Sequence, residues 1–195
     1  MKKEKNYLYY FLRRIYIVLI WILFHPKIIG KENIPKEGAF ILAGNHFCAA
    51  DPVMVMAQTK RRVIFLAKKE LFWGLHGKLF EKLGLIPVYP DRANGAAVIA
   101  AERVLKEGGV IGIFPEGKRN RQRDKEIVLS FKKGCVRMAQ RTKSMVIPFA
   151  ISGRYIPFFA NLQISFGKPM KIEETEDIKE ANERVRNEVI NLIKR

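Results

Sequence analysis

The chain has 195 residues, 48% hydrophobic and 28% charged, enough apolar material for a real core, which excludes disorder. Two cysteines, Cys48 and Cys135, exclude a disulfide framework, and no Cys/His cluster has zinc spacing, so a reducing, cytosol-facing setting is expected. The net charge of +17 speaks of partners: nucleic acid, an anionic membrane surface, or acidic substrates and carrier proteins.

In chain order, the first feature is Tyr7–Phe24, YLYYFLRRIYIVLIWILF, rich in aromatics and aliphatics but interrupted by Arg13-Arg14. Its unbroken apolar run, 15–24, is half of the roughly 20 residues a bilayer span needs. No small-residue cleavage site follows, so a secretory signal is not expected either. The composition fits a helix in the membrane interface, with Tyr and Trp at headgroup depth and the arginines on lipid phosphates. This sets residues 1–26 apart as an anchoring segment and leaves 27–195 as one domain. Strands are expected at 39–43, 63–67, 85–89, 110–114, 146–151 and 162–166. Helices are expected at 52–58, 73–83, Gly95–Lys106 (with Asn94 as its cap) and 132–143. A last helix carries Ile178, Ala181, Val185, Val189 and Leu192 on one face. Strands linked by helical crossovers predict an α/β fold, a mostly parallel central sheet flanked by helices, with the N-terminal segment as a membrane-associated helix.

The charge is concentrated. Residues 118–143 carry ten basic side chains against Asp124 and Glu126, and the first 25 carry five against Glu4. The aromatics do not interleave with these cations as base-stacking platforms would, so nucleic acid is not an expected partner.

In parallel sheets, sites form at the carboxyl ends of strands. The loop after 39–43 reads Gly44-Asn45-His46-Phe47-Cys48-Ala49-Ala50-Asp51-Pro52. Its spacing lets Asp51 meet the imidazole of His46, leaving the other ring nitrogen as a general base. Asp51-Pro52 also reads as an ordinary helix cap. Cys48 keeps a thiol-nucleophile alternative open. The loop after 110–114 reads Pro115-Glu116-Gly117-Lys118-Arg119-Asn120-Arg121. A glycine turn followed at once by cations suits a phosphate.

Together, Asn45-His46-x4-Asp51 and Phe114-Pro115-Glu116-Gly117-Lys118-Arg119 resemble the glycerolipid acyltransferase family, whose best-known members acylate 1-acylglycerol-3-phosphate. Leu85-Ile86-Pro87-Val88-Tyr89-Pro90-Asp91-Arg92 and Val146-Ile147-Pro148-Phe149-Ala150-Ile151-Ser152-Gly153 resemble two further family blocks, in the right order. Phe166-Gly167-Lys168-Pro169 matches the family's terminal strand.

The resemblance implies that His46 takes the proton of the acceptor hydroxyl as it attacks an acyl thioester, with Asp51 orienting the ring. It implies Arg119 and Arg92 on the acceptor phosphate, Glu116, Gly117 and Lys118 in the loop that binds it, and Pro148 near the acceptor or acyl-chain pocket. It implies no cofactor and no metal, with acyl-CoA or acyl carrier protein as donor, a lysophospholipid as acceptor, and an anionic membrane surface as partner. The active site is then expected on the cytoplasmic side of the cell membrane. Two departures stand out: Lys118 where the family commonly has Thr, and Tyr89-Pro90 inserted before Asp91-Arg92. Other acceptors, or hydrolysis by the same pair, are the alternatives. A backbone amide near His46 or Gly117 is a candidate for stabilising the developing oxyanion.

Overall fold

The computed structural model describes residues 7–89, 95–158 and 161–194. Seven strands form one sheet: β1 (Lys27–Ile29), β2 (Phe40–Gly44), β3 (Val63–Lys68), β4 (Ile86–Val88), β5 (Val110–Ile113), β6 (Met145–Ser152) and β7 (Gln163–Phe166). Their order is β1-β7-β6-β2-β5-β3-β4. Every pairing is parallel except β6 with β7. Among the described residues the α-helices are α1 (Tyr7–Phe24), α2 (Asp51–Met56), α3 (Gly74–Leu83), α4 (Gly95–Lys106), α5 (Gly134–Thr142) and α6 (Ile178–Lys194). The α/β architecture is the one the alternating pattern predicts.

Both faces of the sheet are covered, so the central strands read as continuous apolar runs. Along β2, Phe40 and Leu42 point into a cluster with Ile20 of α1 and Met54 and Val55 of α2. Ile41 and Ala43 point the other way, into a cluster with Ala101 of α4, Val136 of α5 and Val185 and Val189 of α6. The stripe expected on the last helix is buried at Ala181, Val185, Val189 and Leu192. β1 was not foreseen, because a three-residue strand carries too short a period to register.

α1 runs unbroken through Arg13-Arg14. By length and composition it is apolar enough to cross a membrane, although 18 residues at 1.5 Å each reach only about 27 Å. One face is docked on the body. Tyr9 and Ile20 are buried, and the Tyr9 hydroxyl accepts the N–H of Val63 at 3.0 Å. Arg13 is not free for a lipid phosphate, because its guanidinium donates to the carbonyls of Met56, Ala57 and Thr59 at the end of α2. That partner set lets the helix continue through a charge. The opposite face, including Phe11, Val18, Leu19, Trp21 and Ile22, is exposed.

Candidate active site

β2 and β5 are neighbours in the middle of the sheet, so the loops leaving their carboxyl ends meet. Asn45, 2% exposed, clamps the first loop to β6: its Nδ2 donates to the Ile151 carbonyl and its Oδ1 accepts the Ile151 N–H, each at 2.8 Å. His46 follows with its side chain 18% exposed, and Asp51 is wholly buried.

Asp51 lies in the first turn of α2 but does not cap it. The cap position is Ala50, without a side-chain hydrogen bond. The carboxylate turns back into the preceding loop. Its Oδ2 accepts from His46 Nδ1 and from the N–H groups of Phe47 and Cys48, all at 2.8 Å. Its Oδ1 accepts the Tyr155 hydroxyl at 2.8 Å. A buried carboxylate receiving four donors is satisfied and fixed. Nδ1 faces the carboxylate, and a proton held there leaves Nε2, which has no hydrogen-bond partner among the described residues, able to accept another.

The ring of His46 stacks on Phe114, with centroids 4.1 Å apart and planes 21° from parallel. Phe114 stacks in turn on Phe65 from β3. Gly112 makes this possible, since a Cβ there would sit 2.4 Å from the Phe65 ring. His46 is thus held by a carboxylate at its edge and an aromatic at its face.

The second loop is bound to the first through backbone. Glu116, 5% exposed, accepts the His46 N–H at 2.7 Å and the Leu129 N–H at 3.0 Å. Burial raises the Glu116 carboxyl above its ordinary range, against the pull of these two amides. The buried Asn120 donates its N–H to the His46 carbonyl at 2.6 Å. Gly117 has φ +70°, a conformation that favours glycine, and the end of the Lys132 side chain lies across the turn. Lys118 and Arg119 are exposed. The amides of His46 and Gly117, candidates for the oxyanion, both donate within the protein: to Glu116 and to the Phe114 carbonyl.

The structure therefore brings together His46, Asp51, Glu116 and Gly117, with Lys118 and Arg119 at the rim. Arg92 lies outside the described residues, as does Asn94. Pro148 is buried in β6 on the face of Val146 and Ala150, against Gly167 and near Leu192 of α6. His46 stands over the other face, where Phe149 meets Phe114. Four contributors have no signature in the sequence: Asn120, Lys132, Tyr155, and Arg123, whose guanidinium lies 3.7 Å from the centroid of the Phe47 ring. Each is distant in the chain from the residue it serves, so no spacing announces it.

Comparison with known proteins agrees with these motifs. The Acyltransferase family model matches residues 25–152, spanning both loops. The chain belongs to this family. A 1-acyl-sn-glycerol-3-phosphate acyltransferase of Borreliella burgdorferi is 34% identical over 143 residues, 72% of this chain and 56% of that one. One of Bacillus subtilis is 30% identical over 129 residues, 65% of this chain and 62% of that one. This chain thus spans little more than half the length of these curated relatives. The crystal structure of a 1-acyl-sn-glycerophosphate acyltransferase from Thermotoga maritima superimposes with a TM-score of 0.75 at 22% identity, covering 98% of this chain and 82% of that one. That likeness establishes the shared fold.

Proposed function

We propose that this protein transfers a fatty acyl group from an acyl thioester, acyl-CoA or acyl carrier protein, to the free hydroxyl of 1-acylglycerol-3-phosphate, giving phosphatidic acid. The observation that carries the reading is the His46 Nδ1–Asp51 Oδ2 contact at 2.8 Å, with the carboxylate fully buried and the imidazole partly exposed. The choice of acceptor rests on the relatives' names and on the cations beside the dyad.

In this reading His46 Nε2 removes the proton of the acceptor hydroxyl as the oxygen attacks the thioester carbonyl. The C–O bond forms, the C–S bond breaks, and the imidazolium returns the proton to the departing thiolate. Asp51 holds the Nδ1 proton and offsets the charge on the ring. A thioester is already activated, so positioning and a base supply most of what the reaction needs. Arg119 and Lys118 meet the acceptor phosphate, with Lys132 across Gly117 adding a third cation.

The exposed apolar face of α1 supports seating on a bilayer, where lysolipid and product reside. The basic side chains of the domain suit its anionic leaflet, and the site then opens to the cytosol. The test is a purified assay with several lysolipids against both donor types. Phosphatidic acid should form only when donor and 1-acylglycerol-3-phosphate are both present. Thioester loss at the same rate without acceptor would make the protein a hydrolase.

A further inference from the structure

The contact least explained by the reaction so far is the one on the far oxygen of Asp51. Oδ2 is occupied by the imidazole and two amides, whereas Oδ1 receives the hydroxyl of Tyr155, 104 residues along the chain. Asp51 is fully buried, so that hydroxyl stands where solvent has no access to Oδ1. Without a donor there, the carboxylate keeps the cost of desolvating one oxygen and gains freedom to rotate about its own bond, which would move Oδ2 off the imidazole.

Tyr155 is itself held from three sides. The edge of the Phe24 ring, the last residue of α1, meets it at 5.4 Å and 86°. Phe47, beside His46, meets it at 5.7 Å. The strand that delivers it is clamped to the His46 loop by Asn45 at Ile151, and Arg123 donates to the carbonyl of Gly153. Farther along the same connection, the Phe158 N–H donates to the Leu23 carbonyl at 2.7 Å, tying this segment again to the end of α1. The His46 loop, the end of β6 and the end of α1 thus converge on this hydroxyl.

We infer that Tyr155 is a positioning residue of the reaction: by donating to Asp51 Oδ1 it fixes the carboxylate that orients His46, and Phe24 makes α1 part of that support. The inference rests on the reading of His46 as the base. It gives α1 a second role, because the helix offered to the membrane also buttresses the catalytic carboxylate. Burial and the neighbouring Asp51 charge push the Tyr155 phenol well above its ordinary range, so it remains a donor throughout the working pH. The other titratable or charged groups facing the dyad are Cys48 on its own loop and Glu116 and Arg123 on the loop after β5.

The test compares full-length wild type, Tyr155→Phe, Phe24→Ala and His46→Ala in acyl transfer from acyl-CoA to 1-acylglycerol-3-phosphate in mixed micelles, as a function of pH. Removing the hydroxyl lets the carboxylate turn away from the imidazole and stabilise less of the charge that develops on the ring, so the acid limb of kcat should move to lower pH. Tyr155→Phe should show kcat roughly tenfold lower with both KM values near wild type, equivalent to about 1.4 kcal/mol in the barrier. Phe24→Ala should shift both measures the same way by less. A folded Tyr155→Phe with wild-type kcat, or with reduced kcat and an unmoved limb, would overturn the inference. Should Tyr155→Phe not fold, Phe24→Ala decides by the same two measures, and no change in either overturns it. Transfer surviving in His46→Ala would sink the base assignment itself, whereas an inactive His46→Ala beside an unaltered Tyr155→Phe would remove only Tyr155.

Discussion

Asp51 accepts four hydrogen bonds in a fully buried setting, and replacing it by Asn turns one acceptor into a donor facing groups that also donate. Asp51→Asn should therefore reduce turnover by roughly 10²–10⁴, the range expected when general-base catalysis is lost, with a measurable drop in Tm. Steady-state rates with parallel thermal melts separate the two effects. Arg119 is a different case, because it is exposed and makes no hydrogen bond or ion pair among the described residues. Arg119→Ala should raise the acceptor KM about ten- to a hundredfold, as loss of roughly 1.5–3 kcal/mol implies, while leaving the donor KM near its original value. Equal weakening of both substrates would move Arg119 out of the phosphate site. Glu116 supplies a pH test. Its carboxyl is raised by burial from 4.5, so the folded state binds the proton more tightly than the unfolded chain. Its contribution to stability is present below 4.5 and is lost as pH rises through the raised value. Glu116→Gln should lack that slope in denaturant titrations, and an unchanged slope would show that Glu116 is not its source.

α1 presents two chemistries on one helix. Its docked face is fixed by Arg13 on three carbonyls of the α2 end and by buried Tyr9 and Ile20, while Phe11, Val18 and Ile22 point outward. Replacing Phe11, Val18 and Ile22 together by Ser should abolish binding to anionic vesicles in a flotation assay without lowering Tm. Each apolar side chain that enters the interface contributes roughly 1.5–3 kcal/mol, and none of the three supports the fold. Arg13→Ala should do the reverse, lowering Tm through unpaired carbonyls while the outward face keeps its lipid affinity. The apolar character of this helix was legible from composition, and the pairing of His46 with Asp51 from local spacing. The docking of Arg13 was not, because its carbonyl partners at Met56, Ala57 and Thr59 lie 43 to 46 residues away and have no residue-type signature. Asp51 shows the same limit: its position beside a proline reads equally as a cap, and only the path of the loop turns the carboxylate toward His46.

The chain as a whole is one α/β layer sandwich whose most basic stretch begins in one of the two loops that build the site, between β5 and α5. The sheet was readable because buried central strands are long apolar runs at regular intervals, and α6 because its stripe follows the helical period. What links the two loops was not readable, since both contacts end on the backbone of His46: the Glu116 carboxylate accepts its N–H, and the Asn120 N–H donates to its carbonyl. The account stands or falls on direct attack assisted by His46. The decisive measurement is the rate of phosphatidic acid formation by wild type, His46→Ala and Cys48→Ala, each confirmed as folded. Cys48 is half-buried two positions from His46, close enough to raise a covalent acyl-thiol route. Transfer should disappear in His46→Ala and persist near the wild-type rate in Cys48→Ala. If Cys48→Ala is as inactive as His46→Ala, the acyl group passes through the thiol and the direct mechanism is wrong.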